Sequence, residues 1–309
     1  MAENQDGVFG ANDAARVGVG ADELLTLTRR GALVRVRRGA YVLAEGYAAA
    51  EPSGRYLLRA EAILRTRGDA DRLSHQSALA FLGIAAFDVD HALVAVETRQ
   101  ASRRRVHAGL AVHPWTGGDT WTLGAFRSVS PAVACVQVAR VDGFMAGLAA
   151  MDSALHRSLC SLADLESSAR ALAGPKVGTV ERVIAACDPS SESVGETRTR
   201  IILVDGNVPF ASQVDIADSS GFIGRVDFLV DGCVVVEFDG MIKYAGQAGQ
   251  AALAREKIRE DRLRRAGYEV VRIVWSELDD PAAILRRIDQ ARRLARERRA
   301  AGLRTSRGA

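Results

Sequence analysis

Arg225-Val-Asp227-Phe-Leu-Val230-Asp231-Gly232-Cys233-Val-Val-Val236-Glu237-Phe-Asp239-Gly240 sets three carboxylates inside two otherwise apolar, β-forming runs. Asp-Gly between such runs is a hairpin signal. Side chains alternate across a strand, so Asp227 and Glu237 act together only if the loop puts them on one face. A two-residue loop pairs 230 with 233, sets Asp227 opposite Val236, and sends Glu237 to the other face. A three-residue loop of 230–232, with Gly232 left-handed, pairs Leu229 with Cys233 instead. Arg225, Asp227, Val235, Glu237 and Asp239 then share one face. Val226, Phe228, Val234, Val236 and Phe238 share the other as a continuous apolar surface. The bulged hairpin gives a coherent core side and is therefore the expected one.

Carboxylates in apolar strands are costly to bury without partners. An oxygen-only set of Asp227, Glu237 and Asp239 suits a hard divalent cation such as magnesium, or manganese in its place. Such an ion beside phosphate activates water and stabilises a leaving oxygen, so phosphodiester hydrolysis is the leading chemistry. Glu196 is a fourth acid, on the preceding helix. Ser193-Val-Gly-Glu196 also reads as a capping box, and Glu196 with Arg200 as an i,i+4 pair. Lys243, in Gly240-Met-Ile-Lys-Tyr244, could assist a metal-bound water or a transition-state phosphate, and an ordinary loop lysine is the plainer reading. Lys257 lies on a long charged helix, where an exposed ion-pair face is the ordinary role.

The chain has 309 residues, enough for about two or three domains at roughly 100–200 residues each. No apolar run approaches the roughly 20 residues of a membrane span, and the acidic, polar N-terminus is no signal peptide. Cys135, Cys160, Cys187 and Cys233 are isolated, as in a reducing cytosol, and form neither a zinc pattern nor a disulfide frame. A cytoplasmic location is expected. The net charge of +3 says little about partners, so its distribution matters more.

Residues 1–50 read as a unit: helices over 11–17 and 21–30, then an alternating run, Leu33-Val-Arg-Val-Arg-Arg-Gly-Ala-Tyr-Val-Leu43, turning at Gly39. That order is a winged helix-turn-helix, with its second helix suited to a major groove. Arg29, Arg30, Arg35, Arg37 and Arg38 cluster there as a phosphate-facing surface for double-stranded DNA. A solvated basic face is the plainer alternative.

Residues 51–186 read as a mixed α/β middle domain. Helices are expected over 55–65, 74–83, 130–139 and 145–156, with strands at 91–96 and 109–113. His107 and His113 fit one side of a strand but lack a third ligand. Arg103–Arg105 is a basic turn. Residues 187–309 form the last domain: helix 194–205, the hairpin, helix 250–266, strand 268–275 and an Arg-rich helix from Pro281 to about Arg299. The fold class is α/β, multidomain.

Residues 190–290 resemble the PD-(D/E)xK nuclease-like, restriction-endonuclease-like α/β fold, in its branch near Vsr-like repair endonucleases. The resemblance rests on Ser193-x-x-Glu196-x-Arg198, Gln213, Arg225-Val-Asp227-Phe, Glu237-Phe-Asp239-Gly240, Lys243-Tyr244, Asp261-Arg-Leu-Arg-Arg-Ala-Gly-Tyr268 and Val271-Arg-Ile-Val-Trp275. It implies a magnesium-dependent deoxyribonuclease with Asp227 and Glu237 as metal ligands and Glu196 as a helix-borne acidic ligand or water partner. The family pattern ends Glu-x-Lys, and here Asp239 stands at the lysine position. Asp239 as a third ligand, with Lys243 or Lys257 replacing the lysine, is one reading; a fold that no longer cuts is the other. The N-terminal unit resembles the winged helix of AbiEi-type antitoxins of type IV toxin–antitoxin systems, through Ala14-Ala-Arg-Val-Gly18, Leu24–Gly31 and Val36-Arg-Arg-Gly-Ala-Tyr-Val42. That resemblance implies a promoter-binding regulator, with a cognate toxin or a second copy as protein partner.

Overall fold

A computed structural model describes residues 7–68, 70–123, 126–172, 176–240 and 246–306, with the backbone alone at 123, 246–254, 299 and 301–306. Lys243 lies outside the described residues. The chain divides into two compact units, Met1–Cys187 and Asp188–Ala309.

The first unit opens with β1 (Val8–Gly10), α1 (Ala11–Arg16), α2 (Ala21–Arg29), β2 (Leu33–Arg37) and β3 (Ala40–Leu43), the strands forming a sheet in the order β1-β3-β2. Phe9, Ala14, Leu24, Leu33 and Tyr41 make its core. This is the expected two-helix and hairpin arrangement, with β1 added ahead of it. α3 (Ala44–Ala49) and α4 (Pro52–Arg65) follow, and Pro52 starts α4 where no intrahelical N–H is needed.

The same unit continues with β4 (Arg72–Leu73), α5 (His75–Leu82), β5 (Val94–Thr98), β6 (Arg105–His107), β7 (Leu110–Pro114), β8 (Thr120–Leu123) and β9 (Phe126–Val129). These strands form a mixed sheet in the order β6-β7-β5-β4-β9-β8. α6 (Pro131–Val141), α7 (Phe144–His156), α8 (Leu162–Ala171) and α9 (Val177–Ala186) complete the unit. Eight of the eleven residues of α6 are buried, which its Ala, Val and Cys content permits. His107 and His113 do not share a site. His107 is exposed at the end of β6, while His113 is buried and stacks on His75.

The second unit runs α10 (Val194–Asp205), β10 (Phe210–Asp218), β11 (Gly221–Val230), β12 (Val234–Asp239), α11 (Gly246–Arg265), β13 (Glu269–Val274), a 3-10 turn at Trp275–Glu277 and α12 (Pro281–Ser306). The sheet order is β10-β11-β12-β13, antiparallel except for the parallel β12–β13 pair. Phe228, Val230, Val234, Val236 and Ile273 pack with Leu203 of α10 and with Ile284, Ile288, Ala291 and Ala295 of α12. Those α12 positions recur at helical spacing and form one apolar stripe. Ile216, Ile223, Val226, Val235 and Leu263 form a second core, with Leu263 supplied by α11.

Register decides the site. Phe228 pairs with Val236, Leu229 with Val235 and Val230 with Val234. The loop is therefore 231–233, one residue later than expected, and Leu229 does not pair with Cys233. Both Asp231 (φ 48°) and Gly232 (φ 63°) are left-handed, a conformation glycine adopts freely and Asp tolerates. Asp231 is held there by Arg292 at 2.7 Å and Arg296 at 3.2 Å. The loop still has three residues, but the β11–β12 pairing stops at Phe228–Val236, so no ladder pair joins Asp227 to Glu237. The apolar alternation does not survive. Val226 joins the core that contains Val235 and Leu263, while Phe228 joins the other. The break falls at Asp227: the β10–β11 pairing passes from Ser212–Phe228 to Val214–Val226, and Gln213, between them, has φ 51°.

Candidate functional site

Asp227 interrupts the β11–β12 ladder, and its Oδ2 accepts a hydrogen bond from the Phe238 backbone N–H at 2.8 Å. A side chain thus takes the place of a ladder partner beyond the Phe228–Val236 pair. Burial pushes the Asp227 carboxyl up to about 7, and the nearby Glu196 and Glu237 push the same way against the Phe238 hydrogen bond and Arg259.

Glu196 is brought to this cluster by the first turn of α10. Gly195 makes the approach possible: a Cβ there would overlap the Phe238 ring, so the helix start rests directly on β12. Ser193 caps the helix, accepting from the Glu196 N–H at 3.1 Å. The Glu196 carboxylate folds back, accepting from the Ser193 hydroxyl at 2.9 Å and from the Glu192 N–H at 3.0 Å. The capping role is thus present, though the backbone donor is one residue earlier than the capping-box pattern gives. Gln213 donates to Glu196 Oε2 at 2.9 Å from its strained position in β10. Burial raises the Glu196 pKa, and these hydrogen bonds oppose the rise. Arg200 reaches Ser191 at 3.4 Å and Asp188 at 3.8 Å.

Two arginines complete the site, and the sequence alone assigns neither of them a role. Arg259 of α11 meets Glu237 with both terminal nitrogens, at 2.5 and 3.1 Å. It also reaches Glu256 at 3.1 Å and the Arg225 carbonyl at 3.0 Å. Arg272, on β13 opposite Glu237, lies 3.9 Å from Glu237 and 3.9 Å from Asp239, and contacts Glu256 directly. The signals available were an i,i+3 Glu256–Arg259 pair and a lone arginine inside the apolar run of β13. Lys257 is exposed.

The structure therefore brings Asp227, Glu237 and Glu196 into one electrostatic cluster and gives Glu237 and Asp239 arginine neighbours. Among the described residues, no group of three His, Cys, Asp or Glu side chains is placed to hold a metal ion. As arranged, the acids do not fit a three-carboxylate magnesium site, because guanidinium nitrogens occupy the approach to Glu237.

In the first unit, Arg29, Arg30, Arg35 and Arg38 are exposed. Asp22, Leu25, Thr26 and Arg29 form an outward stripe on α2 at helical spacing, and Leu25 is 44% exposed despite its apolar side chain. Arg37 differs from its neighbours. It is half-buried at a register shift in β2, burial and Arg67 lower its pKa, and its Nη1 is buried without a hydrogen-bond partner. Along α12, Arg287 pairs with Glu277, Arg292 and Arg296 with Asp231, and Arg298 with Glu269, so these arginines brace the second unit itself.

Residues 1–44 match the family described as transcriptional regulator, AbiEi antitoxin. No curated protein matches the chain. No helix among the described residues is long and apolar enough to cross a membrane.

Proposed function

We propose that this chain is a DNA-binding transcriptional regulator of antitoxin type, whose C-terminal unit keeps a nuclease-like frame with its acids neutralised by arginines. The observation that carries this reading is the two-nitrogen grip of Arg259 on Glu237. The match over residues 1–44 and the exposed arginines of α2 and the hairpin support DNA binding. Double-stranded DNA is the proposed ligand, and a cognate toxin or a second copy is the protein partner the antitoxin likeness implies. The element order α–β–β–β–α–β, with a parallel final strand pair, supports the nuclease-like frame.

A second reading is favoured by the raised Asp227 carboxyl, crowded by Glu196 and Glu237. In it the unit is a magnesium- or manganese-dependent endonuclease, and Asp227, Glu237 and Asp239, with Glu196, would hold the ion once Arg259 left Glu237. Lys243 would assist the phosphate.

One experiment separates the two. The full chain is titrated onto duplex DNA at several salt concentrations, and plasmid cleavage is followed with magnesium or manganese. The regulator reading expects salt-dependent binding without cleavage. Arg29→Ala or Arg35→Ala should lower the log–log salt slope by about 0.9 for each phosphate left without its cation. Cleavage that disappears in Asp227→Ala and Glu237→Ala would establish the enzyme reading instead. Absence of any salt-dependent binding would refute the regulator.

A further inference from the structure

The first unit holds a second cluster of polar groups, unconnected with the arginines of α2 and the hairpin. A cavity of about 380 Å³ lies against α5, α6 and the end of β7, lined by His75, His113, Thr116, Gln137, Arg140 and Lys176 among others. That volume is in the range of small-molecule sites. The two imidazoles stack with centroids 3.8 Å apart and planes 29° from parallel. His75 is strained, with φ 50°, and its backbone N–H donates to Gln137 Oε1 at 2.9 Å. Its Nδ1 lies 3.0 Å from the Ser74 hydroxyl. His113 is only 7% exposed, and among the described residues its ring has no hydrogen-bond partner. Its ring nitrogens are not sealed in the core, and the residue lines the cavity.

The charges around the pair point to the sign of the missing partner. Glu97 of β5 is fully buried and is cancelled by Arg72 of β4 at 2.5 Å. Gln137 and Thr116 each donate to Glu97 Oε2 at 2.8 Å, so its oxygens are already satisfied. The charges that act on the rings are cationic, Arg104 and Arg140, and Lys176 lines the same cavity. Asp142 interacts with Arg104 and Lys176, and with Asp88 and Asp90. Burial and Arg104 hold His113 down at about 4, and burial with its neighbouring cations keeps His75 well below its usual range. Both rings are therefore neutral near pH 7, and each still carries one N–H to donate. Gln137 and Thr116 donate to Glu97 and Arg140 to the Leu172 carbonyl at 2.6 Å, so the groups left to meet an anion are the ring N–H groups and the Lys176 ammonium.

We propose that this cavity binds a phosphate group, with His113 and Lys176 among its donors. The site stands independently of the DNA-binding reading. Inorganic phosphate and a nucleoside monophosphate are titrated separately into the full chain by calorimetry, with chloride at matched ionic strength as control. Histidine ring resonances are followed by NMR in parallel. Saturable binding, with shifts confined to His75 and His113, is expected. Kd should rise about tenfold in His113→Gln and in Lys176→Ala. Lys176 is exposed, so its variant tests the site without disturbing the core. Binding of the monophosphate but not free phosphate would assign the site to an organic ester, and equal binding would assign it to the free ion. No saturable signal with either compound would overturn the proposal, as would affinity unchanged in both variants.

Discussion

Arg259 and Glu237 face each other from α11 and β12 as a two-nitrogen, two-oxygen pair, at 2.5 and 3.1 Å. Such fork-to-fork contacts fix geometry as well as charge. The pair is mostly shielded, so it lies between an exposed pair worth up to about 1 kcal/mol and a fully buried one whose rupture costs about 3–5 kcal/mol. Arg259→Met should destabilise the chain by about 2 kcal/mol. Glu237→Gln added to it should restore part of the loss, because no unpaired charge then remains. Urea unfolding of the two singles and the double closes the cycle, and additive losses would show that the pair is not coupled.

The same arginine controls access to the acids. Arg259→Met uncovers Glu237 beside Asp227, so manganese should bind the variant about tenfold more tightly than it binds the parent chain. Calorimetry at constant ionic strength measures this. Equal affinities would mean that the arginine does not exclude the ion.

Asp227 ties stability to pH. Its folded pKa, about 7, stands above the ordinary 3.8 because of burial first and acidic neighbours second. Between those values the folded chain keeps a proton that the unfolded chain has lost. Stability therefore falls as pH rises through that window and levels off above about 7. Asp227→Asn removes this slope and should gain up to about 4 kcal/mol relative to the parent at pH 8, an upper bound set by the shift. Parallel stability curves from pH 5 to 8 for the two chains would contradict the assignment.

Gly195 sets the distance between α10 and β12. In Gly195→Ala the new methyl would run into the Phe238 ring. Overpacking of this kind costs about 1–3 kcal/mol. Because Glu196 follows directly, the variant should also lower the Asp227 pKa toward its ordinary value, read from carboxyl NMR titration. An unchanged Asp227 titration would mean that Glu196 is not held in the cluster by this contact.

The neighbourhood of Asp227 and Glu237 is legible only in part: a three-residue loop keeps parity as far as Phe228–Val236, and the alternation then breaks at Asp227 itself. The loop position is not legible, since it depends on Asp231 accepting a left-handed backbone under two arginines from α12. β10 escapes a sequence reading because Phe210-Ala-Ser-Gln-Val-Asp-Ile-Ala-Asp alternates weakly and Ile216 is its only fully buried member. α8 and α9 lie in residues 157–186, to which the sequence reading assigns no element, although Leu165 with Ala169 and Val180 with Val183 recur at helical spacing. Arg259 sits in an ordinary charged helix pattern and Arg272 stands alone in the apolar run of β13, so neither has a role until the sheet and α11 bring it to Glu237.

The Asp231 turn has a consequence for the order in which the chain takes shape. Its two anchoring arginines lie 61 and 65 positions further along. The apolar stripe that covers one face of the sheet, from Ile284 to Ala295, comes from that same late segment. During synthesis, domains fold as their residues emerge. Here the acidic strands leave the ribosome well before the helix that clamps their turn and closes their core. The nascent second unit therefore passes through an interval with its carboxylates already made but not yet locked, and nascent-chain fragments ending before Pro281 would capture that interval.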